Sequence, residues 1–244
     1  MLSDLYTIIW KEWREYVIQR GNLRGGWVGL LLVLVVFGIY LPYQNGRDWV
    51  DSPITLVFWA WLPLFLVISV VADSFAGERE RHTLEALLAT RLSDWAILLG
   101  KVLGAVSYGW GLTMIAAILG LITTNVAYGE GQLLLYRPLA AVAIPVVSLL
   151  ASLLAASAGV LVSLRASSVR QAAQTLSIAV MILLFVPIFG IQLLPQEVQA
   201  RLLNAVAGAQ TTGLVIGVAA VLAVMDAVLL AAARARFRRA RLIL

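Results

Sequence analysis

Six apolar stretches of roughly bilayer-spanning length occupy most of this chain, at 27–42, 54–72, 95–124, 138–163, 175–194 and 211–233. A membrane helix needs about 20 such residues to cross roughly 30 Å of hydrocarbon. Inside that layer every backbone N–H and C=O must find a partner within the protein, so only helices and closed barrels can span it. The expected fold is an all-α integral membrane protein with six transmembrane helices, and residues 1–244 read as one transmembrane domain. Hydrophobic residues make up 61% and charged ones 13%, and what lies between the spans is too short to bury a soluble core.

The chemistry available is narrow. There is no cysteine and only one histidine, His82, so disulfides, thiolate metal sites and imidazole clusters are excluded. No metal set, Ser/His pair or paired aspartates is visible for an intramembrane enzyme. The first apolar stretch follows a segment with Asp4, Glu12 and Glu15 and precedes no small-residue cleavage site, so it is expected to stay as an anchor.

Orientation follows from the basic residues. Fifteen of the eighteen fall in alternate segments: around 11–24, from Arg79 to Lys101, at Arg165 and Arg170, and in the tail from Arg234 to Arg241. The intervening loops hold only Arg47, Arg137 and Arg201. Both termini are therefore expected in the cytoplasm, with the chain in the inner (plasma) membrane. The net charge of +5 is a topology signal and calls for no nucleic acid. The tail, with Arg234, Arg236, Arg238, Arg239 and Arg241, is expected at anionic lipid headgroups.

Residues 3–20 read as an amphipathic interfacial helix lying flat beneath the membrane. Leu5, Ile9, Trp13, Tyr16 and Val17 share one face, with Asp4, Lys11 and Glu15 opposite. Pro63 and Pro187 are expected to bend the second and fifth spans. Small residues four apart (Gly25/Gly29, Gly100/Gly104, Gly213/Gly217 and Ser148/Ser152/Ala156) are expected to let helices approach closely. The loop 195–210, with Val198, Leu202, Leu203 and Val206 beside polar residues, reads as a short outer amphipathic or re-entrant helix.

Asp226 is the one acid well inside a predicted span, on the order of 12 Å from the inner boundary. An ionised carboxylate there costs about 2.5–3.5 kcal/mol on insertion scales. It lies opposite the Gly217 face. It either lines a translocation path or pairs with a hydroxyl or basic group near the inner surface.

The densest charge lies between spans two and three, in Gly77-Glu78-Arg79-Glu80-Arg81-His82-Thr83-Leu84-Glu85-Ala86-Leu87-Leu88. Over 73–92 the chain is expected to leave the membrane as an elbow. Leu84, Leu87, Leu88 and Arg91 fall on one side of a helix, and Glu78, Arg81, His82 and Glu85 towards another. An Arg81–Glu85 pair at i, i+4 is expected. Thr90 or Ser93 can cap the next helix, which carries Asp94 in its first turn. The segment is either a docking helix for a partner protein or a solvated, salt-bridged loop.

The run GERERHTLEALLATRLSDWAILLGK resembles the signature region of ABC-2 type transporter permeases. There a Glu-Arg-rich stretch leads into Thr-Leu-Glu-x-Leu-Leu, followed by Gly-Lys at the next span. The matching positions are Glu78, Arg79, Glu80, Thr83, Leu84, Glu85, Leu87, Leu88, Gly100 and Lys101. His82 stands where that family usually has glycine, and Arg91 where proline is usual. The resemblance implies a homodimer or heterodimer of permease subunits, with Glu78 to Leu88 as a cytoplasmic coupling helix contacting a separate nucleotide-binding ATPase. It also implies that ATP and Mg are bound in that partner, with no cofactor held by this chain. A phosphate loop at Gly100-Lys101 fails on its own terms. Trp95 replaces its first glycine, and Val102 the Ser or Thr that would meet magnesium.

The function expected is thus the membrane subunit of an ATP-driven exporter. Its path would be walled mostly by apolar residues, which suits an amphipathic or lipid-like cargo better than a bare ion. An ion-driven secondary transporter and a membrane scaffold or biogenesis subunit stand as alternatives.

Overall fold

The computed structural model describes residues 2–22, 24–201 and 211–237. Among them every regular element is helical, and six helices are long and apolar enough to cross a membrane. Helix α1 (Leu2–Asn22) precedes the first span, which is α2 (Arg24–Val35), a π-helical turn (Val36–Tyr40) and α3 (Leu41–Asn45) in succession. After the short α4 (Asp48–Asp51), the second span is α5 (Thr55–Val71), followed by α6 (Asp73–Glu80) and the single turn α7 (Leu84–Leu88). The remaining spans are α8 (Asp94–Tyr128), α9 (Pro138–Ser163), α10 (Val169–Gln192) and α11 (Thr211–Arg236). At 1.5 Å per residue the 35 residues of α8 extend about 52 Å, longer than the hydrocarbon layer is thick.

The core is a trio of α5, α8 and α9, with α11 against α9 and the first span against α8. Glycine makes the trio possible: a Cβ on Gly109 of α8 would lie 2.3 Å from Val67 Cγ2, and one on Gly159 of α9 would lie 2.1 Å from Val71 Cγ1. Both valines belong to α5, so backbone meets side chain directly, in the manner of small-residue seams in membranes. Several hydroxyls inside the trio bond their own helix, whereas the Ser157 hydroxyl and the Trp59 indole N–H are buried without a hydrogen-bond partner among the described residues. Thr113, Ser148 and Ser152 each donate to the carbonyl four residues back, at 2.6–2.8 Å. In the first span the π-turn widens the backbone ladder, and Thr123 Oγ1 donates to the Gly38 carbonyl there at 2.7 Å.

The small-residue pairs divide into two kinds. Ser148, Ser152 and Ala156 are fully buried, and Gly100 and Gly104 are in tight contact. Gly29, Gly213 and Gly217 instead have nothing within 4 Å of where a Cβ would stand. Burial on α11 falls on Asp226 and Ala233. The expected packing seam at Gly213/Gly217 is therefore an open face within one copy of the chain.

After the second span, α6 carries helical structure on to Glu80, so within the elbow the chain first turns out of helical geometry at 81–83. The joint at Ala72 holds because Ser163 Oγ inserts into the ladder. It accepts from the Phe75 and Ala76 N–H groups at 3.0 and 2.9 Å and is 3.0 Å from the Ala72 carbonyl, to which it donates. A side chain inserted in this way is a recognised cause of helix bending. In the outer loop, residues 196–201 are helical with Val198 exposed. Leu202, Leu203 and Val206 lie outside the described residues, as do Arg238, Arg239 and Arg241. The side chains of Val17, Leu88 and Pro187 are also outside the description.

Candidate functional site

Helix α1, the stem α6, the base of α8, the α9–α10 turn and the end of α11 converge at one end of the bundle. Contact between α1 and α8 runs turn for turn. A Cβ on Gly100 would lie 2.5 Å from Ile8 Cγ2, and one on Gly104 would lie 3.1 Å from Glu12 Cβ. One turn further, the Tyr16 and Tyr108 rings meet edge-on at 5.6 Å. Successive contacts at i, i+4 and i+8 on both helices mean that α1 runs alongside the first turns of α8 instead of crossing them. The inward face is Ile8, Glu12 and Tyr16, all buried, while Tyr6, Trp10 and Trp13 are exposed. Of the expected stripe Leu5, Ile9, Trp13, Tyr16 and Val17, Tyr16 is buried and Trp13 exposed, so the inward face is a neighbouring one that contains Glu12.

Glu12 is inward because it meets a buried cation. Lys101 Nζ lies 2.8 Å from Glu12 Oε1, 2.9 Å from Glu78 Oε1 and 2.7 Å from the Ser74 carbonyl. Its side chain is 1% exposed, and those of Glu12 and Glu78 are 2% and 3% exposed. Lys11 Nζ closes the set at 2.8 Å from Glu78 Oε1. Tyr16 donates its hydroxyl to Glu12 Oε2 at 3.1 Å. Burial first, and the Glu12 carboxylate second, hold that phenol well above its usual titration range, so it stays a donor. The Phe75 ring lies 5.1 Å from Lys101 Nζ. Lys101, Glu12 and Glu78 thus form a buried knot joining α1, α6 and α8, with Lys11, 43% exposed, at its rim and also 3.4 Å from Glu15.

The other elbow charges also turn towards the bundle. Arg79 donates to the carbonyl of Leu164 at 3.0 Å and to that of Ala166. Glu80 Oε1 accepts the Val169 N–H at 3.0 Å, at the start of α10. Arg81 reaches back two turns to Asp73 at 3.2 Å. This contact passes over Gly77, where any Cβ would stand 1.8 Å from Asp73 Oδ1. The expected Arg81–Glu85 pair is replaced because His82, at φ +55°, breaks the helix between them and ends their i, i+4 relation. That left-handed backbone is unstrained only for glycine, which accounts for the glycine usual in the resembling permeases.

What faces outward is small. Thr83 is exposed, and both its N–H and its hydroxyl bond the Glu78 carbonyl. Leu84 is buried and Leu87 packs against the same core, whereas Glu85 and Ala86 are exposed. Ser93 caps α8 by accepting the Ala96 N–H at 3.2 Å. Glu78 is therefore removed from the expected outward charged face and becomes an internal strut. At the far end of the chain, the Arg234 guanidinium lies 4.5 Å from the Trp95 ring centre, and the Phe75 and Phe237 rings are 5.4 Å apart.

A family model for the ABC-2 type transporter matches residues 3–199. The chain belongs to this family. A comparison with curated proteins gave no significant match. As an ABC-2 transporter chain it is an integral membrane permease component, a transport part and not a catalytic one. The match takes in α1, the knot and the elbow together. In this ABC-2 chain Asp226 lies buried on α11 at 3% exposed, and neither carboxylate oxygen has a hydrogen-bond partner among the described residues. The expected pairing with a hydroxyl or basic group is absent there. Among the described residues no group of three or more acidic or histidine side chains is arranged to hold a metal.

Sequence reasoning placed Lys101 in the motif but missed Lys11, Glu12, Ser74 and Ser163. The available signal was Glu12 in the middle of the Ile8/Tyr16 stripe, and a lysine about two turns inside an apolar span.

Proposed function

We propose that this chain is the permease of an exporter, working as a dimer in the inner membrane, with its elbow facing the cytoplasm and docking a separate ATPase that binds ATP and Mg. One observation carries the reading. The exposed turn at Thr83, Glu85 and Ala86 is small enough to enter a groove on a partner. Its stem is tied by Glu78 to α1 and α8 and by Arg79 and Glu80 to the α9–α10 turn. A displacement of that turn is delivered to several spans at once. Apolar faces on α10 and α11, with Met181, Phe185, Ile216 and Val224 exposed, are available to a second subunit and to an amphipathic or lipid-like cargo.

Glu85→Arg tests the docking. It leaves the buried contacts alone, so the unfolding temperature stays at the wild-type value. Co-purification of the ATPase, or its stimulation by the permease, falls about tenfold, the scale expected for reversing an interface charge. Undiminished assembly and stimulation in this variant would remove the docking assignment.

The unpartnered Asp226 carboxyl favours one other reading, transport driven by an ion gradient, since buried carboxyls in spans mark such relays. Under the exporter reading Asp226→Asn keeps ATP-dependent transport. Loss of transport with ATPase stimulation intact would move the assignment to ion coupling.

A further inference from the structure

The end of α9, the start of α10 and the end of α11 frame an open groove of about 360 Å³. Its walls are built from pairs one helical turn apart. On α9 and the turn after it the pair is Leu161 and Arg165, on α11 Ala232 and Arg236, and on α10 Gln171 and Thr175. On α9 and α11 the apolar member lies towards the membrane and the arginine towards the end of the span.

The groove therefore grades from an apolar lower wall to a cationic rim. Neither the Arg165 nor the Arg236 guanidinium has an ion-pair or hydrogen-bond partner among the described residues. The acid on the neighbouring α6, Glu80, already accepts the Val169 N–H. Arg79 adds a further positive charge behind the turn, where it bonds the Leu164 and Ala166 carbonyls.

Gln171 is oriented by its own contacts. Its Oε1 accepts from the Ser167 N–H and hydroxyl at 2.9 and 2.8 Å, which leaves the amide N–H groups as the free end. Thr175 donates its hydroxyl to the Gln171 carbonyl at 2.9 Å. The polar groups offered at the rim are thus donors: two guanidiniums and an amide. Two guanidiniums suit a phosphate, whose oxygens they can bond in pairs.

We propose that this groove is a binding site for an anionic phospholipid, the phosphate headgroup held by Arg165, Arg236 and Gln171 and an acyl chain lying along Leu161, Val162 and Ala232. A free phosphate shares the headgroup chemistry, but it would leave the apolar wall of the groove uncovered. Basic pockets between spans on the inner side of a membrane are suited to anionic headgroups. The site is separate from the exposed turn at Glu85 and does not depend on how an ATPase docks.

The test uses the full chain, purified in detergent and stripped of co-purifying lipid. It is titrated with dioleoyl phosphatidylglycerol or dioleoyl phosphatidylcholine and read by native mass spectrometry. The wild type is expected to retain phosphatidylglycerol in preference to phosphatidylcholine. The pair Arg165→Gln with Arg236→Gln is expected to weaken phosphatidylglycerol retention about thirtyfold, with phosphatidylcholine unaffected. The Arg165→Lys, Arg236→Lys pair should lie between the two, since it keeps charge but not the planar fork. Inorganic phosphate at millimolar concentration should not displace the lipid. Equal retention by wild type and the glutamine pair overturns the proposal. Full displacement by inorganic phosphate also overturns it, assigning the groove to a soluble anion. If the glutamine pair does not fold, Gln171→Leu is measured in the same way, with about a fivefold loss expected and unchanged retention counting against the site.

Discussion

Lys101→Ala is expected to be among the most destabilising single substitutions in this chain. It leaves Glu12 and Glu78, each nearly fully buried, facing one another with the central cation gone, and Lys11 at the rim reaches only Glu78 among these two. Removing one partner of a buried ion pair costs about 3–5 kcal/mol, because the remaining charge stays desolvated and uncompensated. The measurement is the apparent unfolding temperature of purified protein in detergent, alongside protease cleavage at Lys11, which rises if α1 comes away. A second variant separates the charge effect from a packing defect. Neutralising the whole knot, with Lys101→Met, Glu12→Gln and Glu78→Gln together, is expected to recover most of the loss, since a buried ion pair is often no better than a well-packed neutral set. A Lys101→Ala protein that melts with the wild type would show that the knot does not hold α1.

The second large effect is expected at Gly100→Ile. Even the Cβ of the new residue would stand 2.5 Å from Ile8 Cγ2 and 2.7 Å from Ile8 Cβ. Ile8 is branched at that carbon, so no rotamer moves it aside, and α1 as a whole must shift. Overpacking typically costs about 1–3 kcal/mol; here the shift also draws Glu12 away from Lys101, which adds to it. Gly111→Ile, on the same helix, is the control, because nothing lies within 4 Å of that position, and its unfolding temperature should not fall. Combining Gly100→Ile with Ile8→Ala should restore stability beyond additivity, with a coupling of about 0.5–3 kcal/mol. Additive losses in that double variant would mean that the two residues do not meet.

The spans and the elbow were legible because each has a local signature: about 20 apolar residues for one, a charge run with a family motif for the other. The knot was not, because its parts lie far apart in sequence; Glu12 and Lys101 are 89 positions from one another. Periodicity assigns a glutamate to the wet face of a helix by default, and only a tertiary partner reverses that. The Arg81–Glu85 pair failed for a more local reason. The i, i+4 rule presumes an unbroken helix, and a left-handed residue at His82 does not announce itself when it is not glycine. Gly213 and Gly217 show the opposite limit. Their spacing predicts a close approach but cannot say whether the neighbour belongs to the same chain.

The seat of α1 has a consequence for how the protein is made. The helix leaves the ribosome before the glycine ledge and the lysine that receive it, Lys101 being synthesised 89 positions after Glu12. At roughly 5–20 residues per second that is a wait on the order of 4–18 s. During that interval Glu12 has no Lys101 to meet, and the exposed Trp10 and Trp13 are of the kind that favours a membrane–water interface. Docking of α1 then becomes a late checkpoint of membrane insertion, closed only when the third span has arrived.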